Sequence, residues 1–292
     1  MKIALFAINF SEELEAFYME LLGRLNYHKI DVCIFEPFHK KLLENHLITS
    51  EVKSFMSHED LIDNTDFLFS IGGDGTLLKT ISLVKDSGIP ILGFNTGRLG
   101  FLSSISKEEI SETIEKLIEK KYFIEKRSLI RLDKPETLFG TNNFALNEIT
   151  VQKRDSSSMI TIHVYVNEIF LNSYWADGLI VSTPTGSTAY SMSCGGPIVT
   201  PDSKNFILTP ISTHNLTVRP IVIPDDSLIK LTVEGRDENY LVALDSNNAV
   251  ISSSMVLEIK KENFQINLVQ FLGRTFFSTI REKLMWGWDK RN

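Results

Sequence analysis

Asp74 is the residue whose setting most calls for a chemical reason. It stands inside Gly72-Gly73-Asp74-Gly75-Thr76, after the apolar run Phe67 to Ile71 and before Leu77. The run reads as a buried strand and Leu77 onward as a helix, so the glycines form a strand-to-helix turn. Glycine tolerates positive φ and has no Cβ. Consecutive N–H groups can therefore line a hollow that a phosphate enters, backed by the partial positive charge of a helix N-terminus. A carboxylate there repels an anion unless it holds a metal, accepts a proton from a nucleophile, or does both. The competing reading is a tight turn with Asp74 as a solvated helix cap, and the loop alone does not separate the two.

A second segment carries another chemistry. Asp177 to Ser191, followed by Gly195-Gly196-Pro197, concentrates Ser and Thr hydroxyls beside glycine and Tyr190. Such a set offers donors and acceptors for a sugar and a base, and one ring for stacking. Alone it also reads as a Ser/Thr-rich surface loop; the strand before it and the small residues Ala189 and Gly195 weight it towards a site. In Leu146-Asn147-Glu148-Ile149 a polar pair interrupts an apolar stretch. An amide beside a carboxylate suits ribose hydroxyls, and a strand-end turn is the alternative. Arg98, in Asn95 to Leu102 after a fourth strand, offers a cation for phosphates or is a surface arginine in a glycine turn. His214 has no partner at metal-ligand spacing and reads as a structural, hydrogen-bonded histidine.

Several chemistries are excluded. Gly-x-Ser-x-Gly, the Gly-x-Lys-Ser/Thr phosphate loop, and Gly-x-Gly-x-x-Gly after the first strand are all missing, which argues against a serine hydrolase elbow, a P-loop enzyme and an ordinary dinucleotide dehydrogenase. A formal net charge of -7 argues against nucleic-acid binding. No apolar run reaches membrane-spanning length, so no membrane partner is expected. Two cysteines, Cys33 and Cys194, far apart and without metal-ligand spacing, are expected to be reduced in a cytoplasmic protein.

The elements that must position these residues divide the 292-residue chain. The first part alternates strands and helices, the pattern of an α/β layer with a parallel sheet. Strands are expected at Lys2 to Ile8, Asp31 to Phe35, Phe67 to Ile71 and Pro90 to Phe94. Leu14, Phe17, Leu21, Leu22 and Leu25 recur at helical spacing between the first two. Ser106 with Glu109 has capping-box form ahead of another helix. After Arg127 the texture turns to β: Ile160 to Val166 and Ile169 to Ser173, joined by Asn167-Glu168, read as a hairpin. Further strands are expected near Gly178 to Ser182, Leu228 to Val233 and Tyr240 to Leu244. Residues 275 to 284 turn helical, and their apolar face needs a partner surface. The expected domains are therefore 1–126, carrying the glycine loop, 127–270, β-rich, and 271–292, returning to the first.

Taken together, Gly72 to Thr76, Asn147-Glu148, Asp177 to Tyr190 with Gly195-Gly196-Pro197, and His214 to Pro220 resemble the NAD kinase family, bacterial type, from about Leu68 to the Arg281-Glu282-Lys283-Leu284 tail. Gly-Gly-Asp-Gly-Thr is shared with lipid kinases and resembles the phosphofructokinase loop; the hydroxyl-rich segment makes the likeness specific. The resemblance implies a Rossmann-like, phosphofructokinase-like N-terminal α/β domain plus a β-rich C-terminal domain. It also implies phosphorylation of NAD by ATP to give NADP and ADP, with Mg²⁺ or another divalent metal, in a homo-oligomer (dimer or tetramer). Asp74 would be the catalytic base and sit near the metal. Gly72, Gly73, Gly75, Thr76 and Arg98 would meet the ATP phosphates. Asp74, Gly75, Asn147, Glu148, Asp177, Thr185, Ser187, Thr188, Ala189, Tyr190 and Asp245 would meet NAD. Two departures are Asp245-Ser246, where members often have Asp-Gly, and Cys194, where a small residue is common and a packed thiol is expected. The alternatives are a diacylglycerol-type lipid kinase and a non-catalytic pyridine-nucleotide sensor.

Overall fold

The computed structural model describes residues 1–63, 65–97, 100–154, 158–236 and 238–287. The chain divides into two compact units: Met1–Lys126 with Ile266–Asn292, and Arg127–Gln265.

The first unit contains β1 (Lys2–Phe6), α1 (Glu15–Tyr27), β2 (Asp31–Phe35), α2 (Glu36–Glu44), β3 (Lys53–Phe55), β4 (Phe67–Ile71), α3 (Asp74–Val84), β5 (Ile91–Asn95), β6 (Ile105–Ser106) and α4 (Ile110–Ile118). Its strands run parallel in the order β3-β2-β1-β4-β5. That order reverses between β1 and β4, the Rossmann arrangement, in which ligands bind beyond the carboxyl ends of the strands at the reversal. Strands β4 and β5 are buried along their whole length, as a sheet covered on both faces demands. Phe17, Leu21 and Leu25 of α1 join Ile3, Leu5, Phe69 and Phe94 in one core. Ser106 and Glu109 form the expected capping box ahead of α4.

Two long strands carry the chain between the units: β7 (Tyr122–Lys134) and, after all the strands of the second unit, a last one from Leu257 to Phe271. The second unit contains β8 (Phe144–Ala145), β9 (Glu148–Lys153), β10 (Ile160–Val166), β11 (Ile169–Ala176), β12 (Gly178–Ser182), α5 (Tyr190–Ser193), β13 (Asn205–Ile211), β14 (Ile221–Pro224), β15 (Ile229–Glu234), β16 (Asn239–Leu244), β17 (Asn247–Ser252) and the start of that last strand, β18. Antiparallel β14-β13-β12-β9-β16-β17 form one sheet, and β11, β10, β15 and β18 pair antiparallel in a second. Ile149, Val151, Leu179 and Val181 from one share a core with Ile162, Val164, Leu231 and Ile259 from the other. In the β10–β11 hairpin Val166 pairs with Ile169, and Asn167 and Glu168 both have positive φ, at 51 and 64. That is the mirror-image turn whose twist suits a two-residue hairpin.

The final helix α6 (Phe276–Leu284) falls in the first unit and buries Ile280. Arg274, just before it, grips Glu109 with Nη2 2.7 Å from both carboxylate oxygens.

Candidate active site

In the first unit the glycine loop follows the carboxyl end of β4, next to β1, where the strand order reverses. Gly72 is fixed by the fold itself: its φ is +149, and a Cβ would stand 2.3 Å from Thr76 Oγ1. Gly73 and Gly75 are different. Both are exposed, neither has positive φ, and a Cβ on either meets nothing within 4 Å. Gly73 is the N-cap of α3 with extended backbone, a position glycine suits; Gly75 lies inside the first turn, where glycine in place of alanine costs up to about 1 kcal/mol and no contact within the chain requires it. Half-buried Thr76 donates its N–H to Gly73 O at 3.0 Å and tightens the first turn of α3.

Asp74 opens α3, and its carboxylate is not a solvated cap. Oδ2 accepts the Phe101 N–H at 2.7 Å, and Oδ1 accepts those of Leu102 and Ser103 at 3.0 and 2.9 Å. The covering loop approaches so closely that a Cβ on Gly100 would lie 1.9 Å from Asp74 Oδ1. The loop is braced in turn. Asn95 Nδ2 donates to Ser103 O at 3.2 Å, a Cβ on Gly93 would stand 2.9 Å from Ser103 Cα, and Lys283 Nζ of α6 lies 4.7 Å from the Phe101 ring centroid. Arg98, expected to meet phosphates, lies outside the described residues.

In the second unit Asn147 occupies the bend between β8 and β9, and Glu148 starts β9. The hydroxyl-rich segment is bonded onto this bend. Thr183 donates its N–H to Asn147 O at 2.8 Å and its hydroxyl to Leu146 O at 2.5 Å. A Cβ on Gly186 would come within 2.1 Å of Asn147 O, so only glycine permits this approach. Thr185 to Thr188 form a 3-10 turn, not an open loop, and α5 follows with Tyr190 at its head, 40% exposed. Thr188 and Ala189 are half-buried. Ser187 is fully buried, and its hydroxyl bonds Pro184 O, Val199 O and the Val199 N–H, which braces the turn from within. Asp177 forms an ion pair with Lys153 at 2.6 Å.

Asp245 occupies the turn between β16 and β17. Its Oδ2 accepts the Leu146 N–H at 2.8 Å, and Oδ1 accepts those of Asn147 and Glu148 at 2.9 and 3.1 Å. The carboxylate therefore shapes the Asn147-Glu148 bend. Asp245 has φ +50, whereas Ser246 needs no positive φ, so serine is tolerated where glycine is frequent. Burial and the neighbouring Asp245 charge push the Glu148 carboxyl up to about 8. Burial likewise raises the Cys194 thiol, which is no activated nucleophile.

Two residues stand differently from expectation. His214 is exposed, with its ring centroid 4.3 Å from that of Trp175 and its backbone N–H on Trp175 O. Arg127, not singled out in the sequence, is buried and donates Nη1 to Thr185 Oγ1 at 3.3 Å. An arginine followed by the apolar stretch Leu129-Ile130 was the only available signal.

A Rossmann-ordered unit presenting an open glycine turn, and a β unit presenting a braced hydroxyl-rich turn, define a nucleotide-dependent phosphotransferase. The model of the ATP-NAD kinase N-terminal domain matches residues 7–122, and that of the ATP-NAD kinase C-terminal domain matches 146–271. The NAD kinase of Flavobacterium psychrophilum is 50% identical over 295 residues, covering 100% of both chains. The crystal structure of an NAD kinase from Archaeoglobus fulgidus in complex with ATP superposes with a TM-score of 0.76 at 26% identity, covering 98% of this chain and 99% of that one. That of yeast NADH kinase complexed with NADH shares the fold, with a TM-score of 0.84 at 23% identity over 98% of this chain and 88% of that one. The chain belongs to the ATP-NAD kinase family.

Proposed function

We propose that the chain transfers the terminal phosphoryl group of ATP to the 2′-hydroxyl of the adenosine ribose of NAD, giving NADP and ADP. The observation that carries this reading is the open space beside Gly73 and Gly75 at the start of α3, which lets a phosphate approach the backbone without meeting a side chain. Gly72 and Thr76, packed against each other, set the path of that turn. A ribose hydroxyl is a weak nucleophile, and phosphoryl transfer depends mainly on positioning and charge neutralisation. Asp74 is the base. A carboxylate offers about four lone-pair sites; the loop over Asp74 takes two on Oδ1 and one on Oδ2. The remaining Oδ2 site accepts the hydroxyl proton. Asn147, Glu148, Asp177, Thr185, Thr188, Ala189 and Tyr190 hold NAD, while Ser187 and Asp245 act by bracing the segments that do.

Among the described residues no group of three His, Cys, Asp or Glu side chains could hold an ion by itself, so a divalent metal would be held chiefly by substrate phosphates with Asp74 as a single protein ligand. We assign Mg²⁺ to the ATP phosphates beside Asp74, an arrangement that needs few protein ligands. Two free thiols support a reducing, cytoplasmic setting. Exposed Ile169, Phe170 and Trp175 on edge strand β11 support a homo-oligomer. Purified protein with ATP, Mg²⁺ and NAD should form NADP in a coupled assay; folded protein that forms none refutes the reading. Light scattering decides the oligomer.

A further inference from the structure

We infer that Glu148 acts as a neutral carboxylic acid that donates a hydrogen bond to bound NAD, so that its proton is part of the binding site. This rests on the NAD site proposed above and adds the protonation state one of its residues must have.

The geometry leads there by three steps. Glu148 is 8% exposed, and its Oε2 has no hydrogen-bond partner among the described residues. Its cross-strand neighbour Ser182 and Thr150, two positions along the same face, are also buried with unpartnered hydroxyls. Helix α5 lies over this face, because Ser191 Oγ sits 2.8 Å from Thr209 Oγ1, and Thr209 pairs with Ile180 beside Thr150. A row of polar oxygens thus lies under the hydroxyl-rich turn with capacity left for an outside partner.

Next comes charge. The groups that face Glu148 are Asp245 from the β16–β17 turn, Tyr190 at the head of α5 and Cys194 just after it, and the hydroxyls of Ser182 and Thr150. Lys153 pairs with Asp177 at the far end of the β9–β12 pairing, and Arg127 donates to Thr185. An ionised carboxylate with one oxygen unpaired, buried beside another acid, is strongly disfavoured.

Last, the two neighbouring acids are unequal. Burial pushes the Asp245 carboxyl up as well, but three backbone N–H groups oppose that shift by favouring its charged form, whereas none reaches Glu148 Oε2. Of the two acids, Asp245 is the better placed to carry the charge and Glu148 to carry the proton. A carboxylate can only accept from NAD; a carboxylic acid donates as well, to a ribose oxygen or a ring nitrogen.

The test is direct NAD binding by calorimetry from pH 6 to pH 9.5 for the wild type and Glu148→Gln. With the carboxyl titrating at about 8, the wild-type Kd should rise up to roughly tenfold per pH unit above that point, and the Gln variant should lose this alkaline limb. Parallel profiles in the two proteins, or wild-type affinity that strengthens with rising pH, overturn the inference. The infrared band of a protonated carboxyl in wild-type protein at pH 7, absent from Glu148→Gln, is a second readout; its absence from the wild type overturns the inference without any variant. NAD that binds but yields no NADP strikes the proposed reaction, while the binding profile still decides Glu148.

Discussion

The two units use the same device for different ends. In each, an aspartate accepts three successive backbone N–H groups from a distant loop: Asp74 those of Phe101, Leu102 and Ser103, and Asp245 those of Leu146, Asn147 and Glu148. Asp74 stands in a turn whose flanking glycines open to solvent, and the N–H groups fix its carboxylate beside that turn. Asp245 stands in a β-turn, and the same bonds hold the bend that bears Asn147 and Glu148. The difference teaches that the clamp is chemically neutral, and that its surroundings decide whether the clamped acid reacts or supports.

If that contrast holds, removing each acid should give opposite signatures. Asp74→Asn is expected to lower kcat by roughly 10² to 10⁴ with a smaller effect on the KM for NAD; turnover near the wild-type value erases the catalytic half of the comparison. Asp245→Ala should act first on stability, costing about 3 kcal/mol in urea denaturation as three N–H groups lose their shared acceptor. A fully stable variant with lost turnover would make Asp245 the reactive acid instead.

Gly100→Ala sharpens the comparison without replacing either acid. A Cβ 1.9 Å from Asp74 Oδ1 must push the loop away, and displacement of the base by about 1 Å should cost about 10 to 100-fold in kcat. Steady-state kinetics that match the wild type would show that the clamp does not set the position of the base. The unclamped acid of the second unit predicts a pH effect. Glu148 titrates at about 8 in the fold against an ordinary value of 4.5, so between those values the folded chain binds a proton that the unfolded chain lacks. Stability should therefore fall with rising pH across that window, by at most about 1.4 kcal/mol per unit from this group, and Glu148→Gln should flatten the slope. Denaturation midpoints across the window measure it. The smallest effect expected is on stability in Gly75→Ala, a gain of up to about 1 kcal/mol from helix propensity, coupled to a raised KM for ATP. An unaltered KM would mean that nothing approaches the glycine.

The glycine turn between β4 and α3 and the Asn167-Glu168 hairpin were legible in the sequence because both are local: periodicity changes across a few residues, and turn chemistry marks the junction. The fifteen-residue strand β18 was not, because Lys260-Lys261 and Glu262-Asn263 interrupt its alternation and its neighbours lie far back along the chain. Helix α2 was missed because it follows β2 directly, with only Pro37 at its start as a signal. The turn at Thr185 reads as a loop from composition, since hydroxyl density does not reveal bonds to the bend at Asn147.

By itself, then, the amino-acid order placed a glycine turn at the start of a helix and a hydroxyl-rich segment after a strand, and it marked Asp74 as needing a chemical reason. Only the tertiary structure decided what each acid is bonded to. The N–H groups that hold Asp74 lie 27 to 29 positions away, those that hold Asp245 lie 97 to 99 away, and Glu148 is set apart by having none on one oxygen. Side-chain type and spacing carry a group's intrinsic chemistry; its charge state and aim come from donors and burial that only the folded chain brings to it.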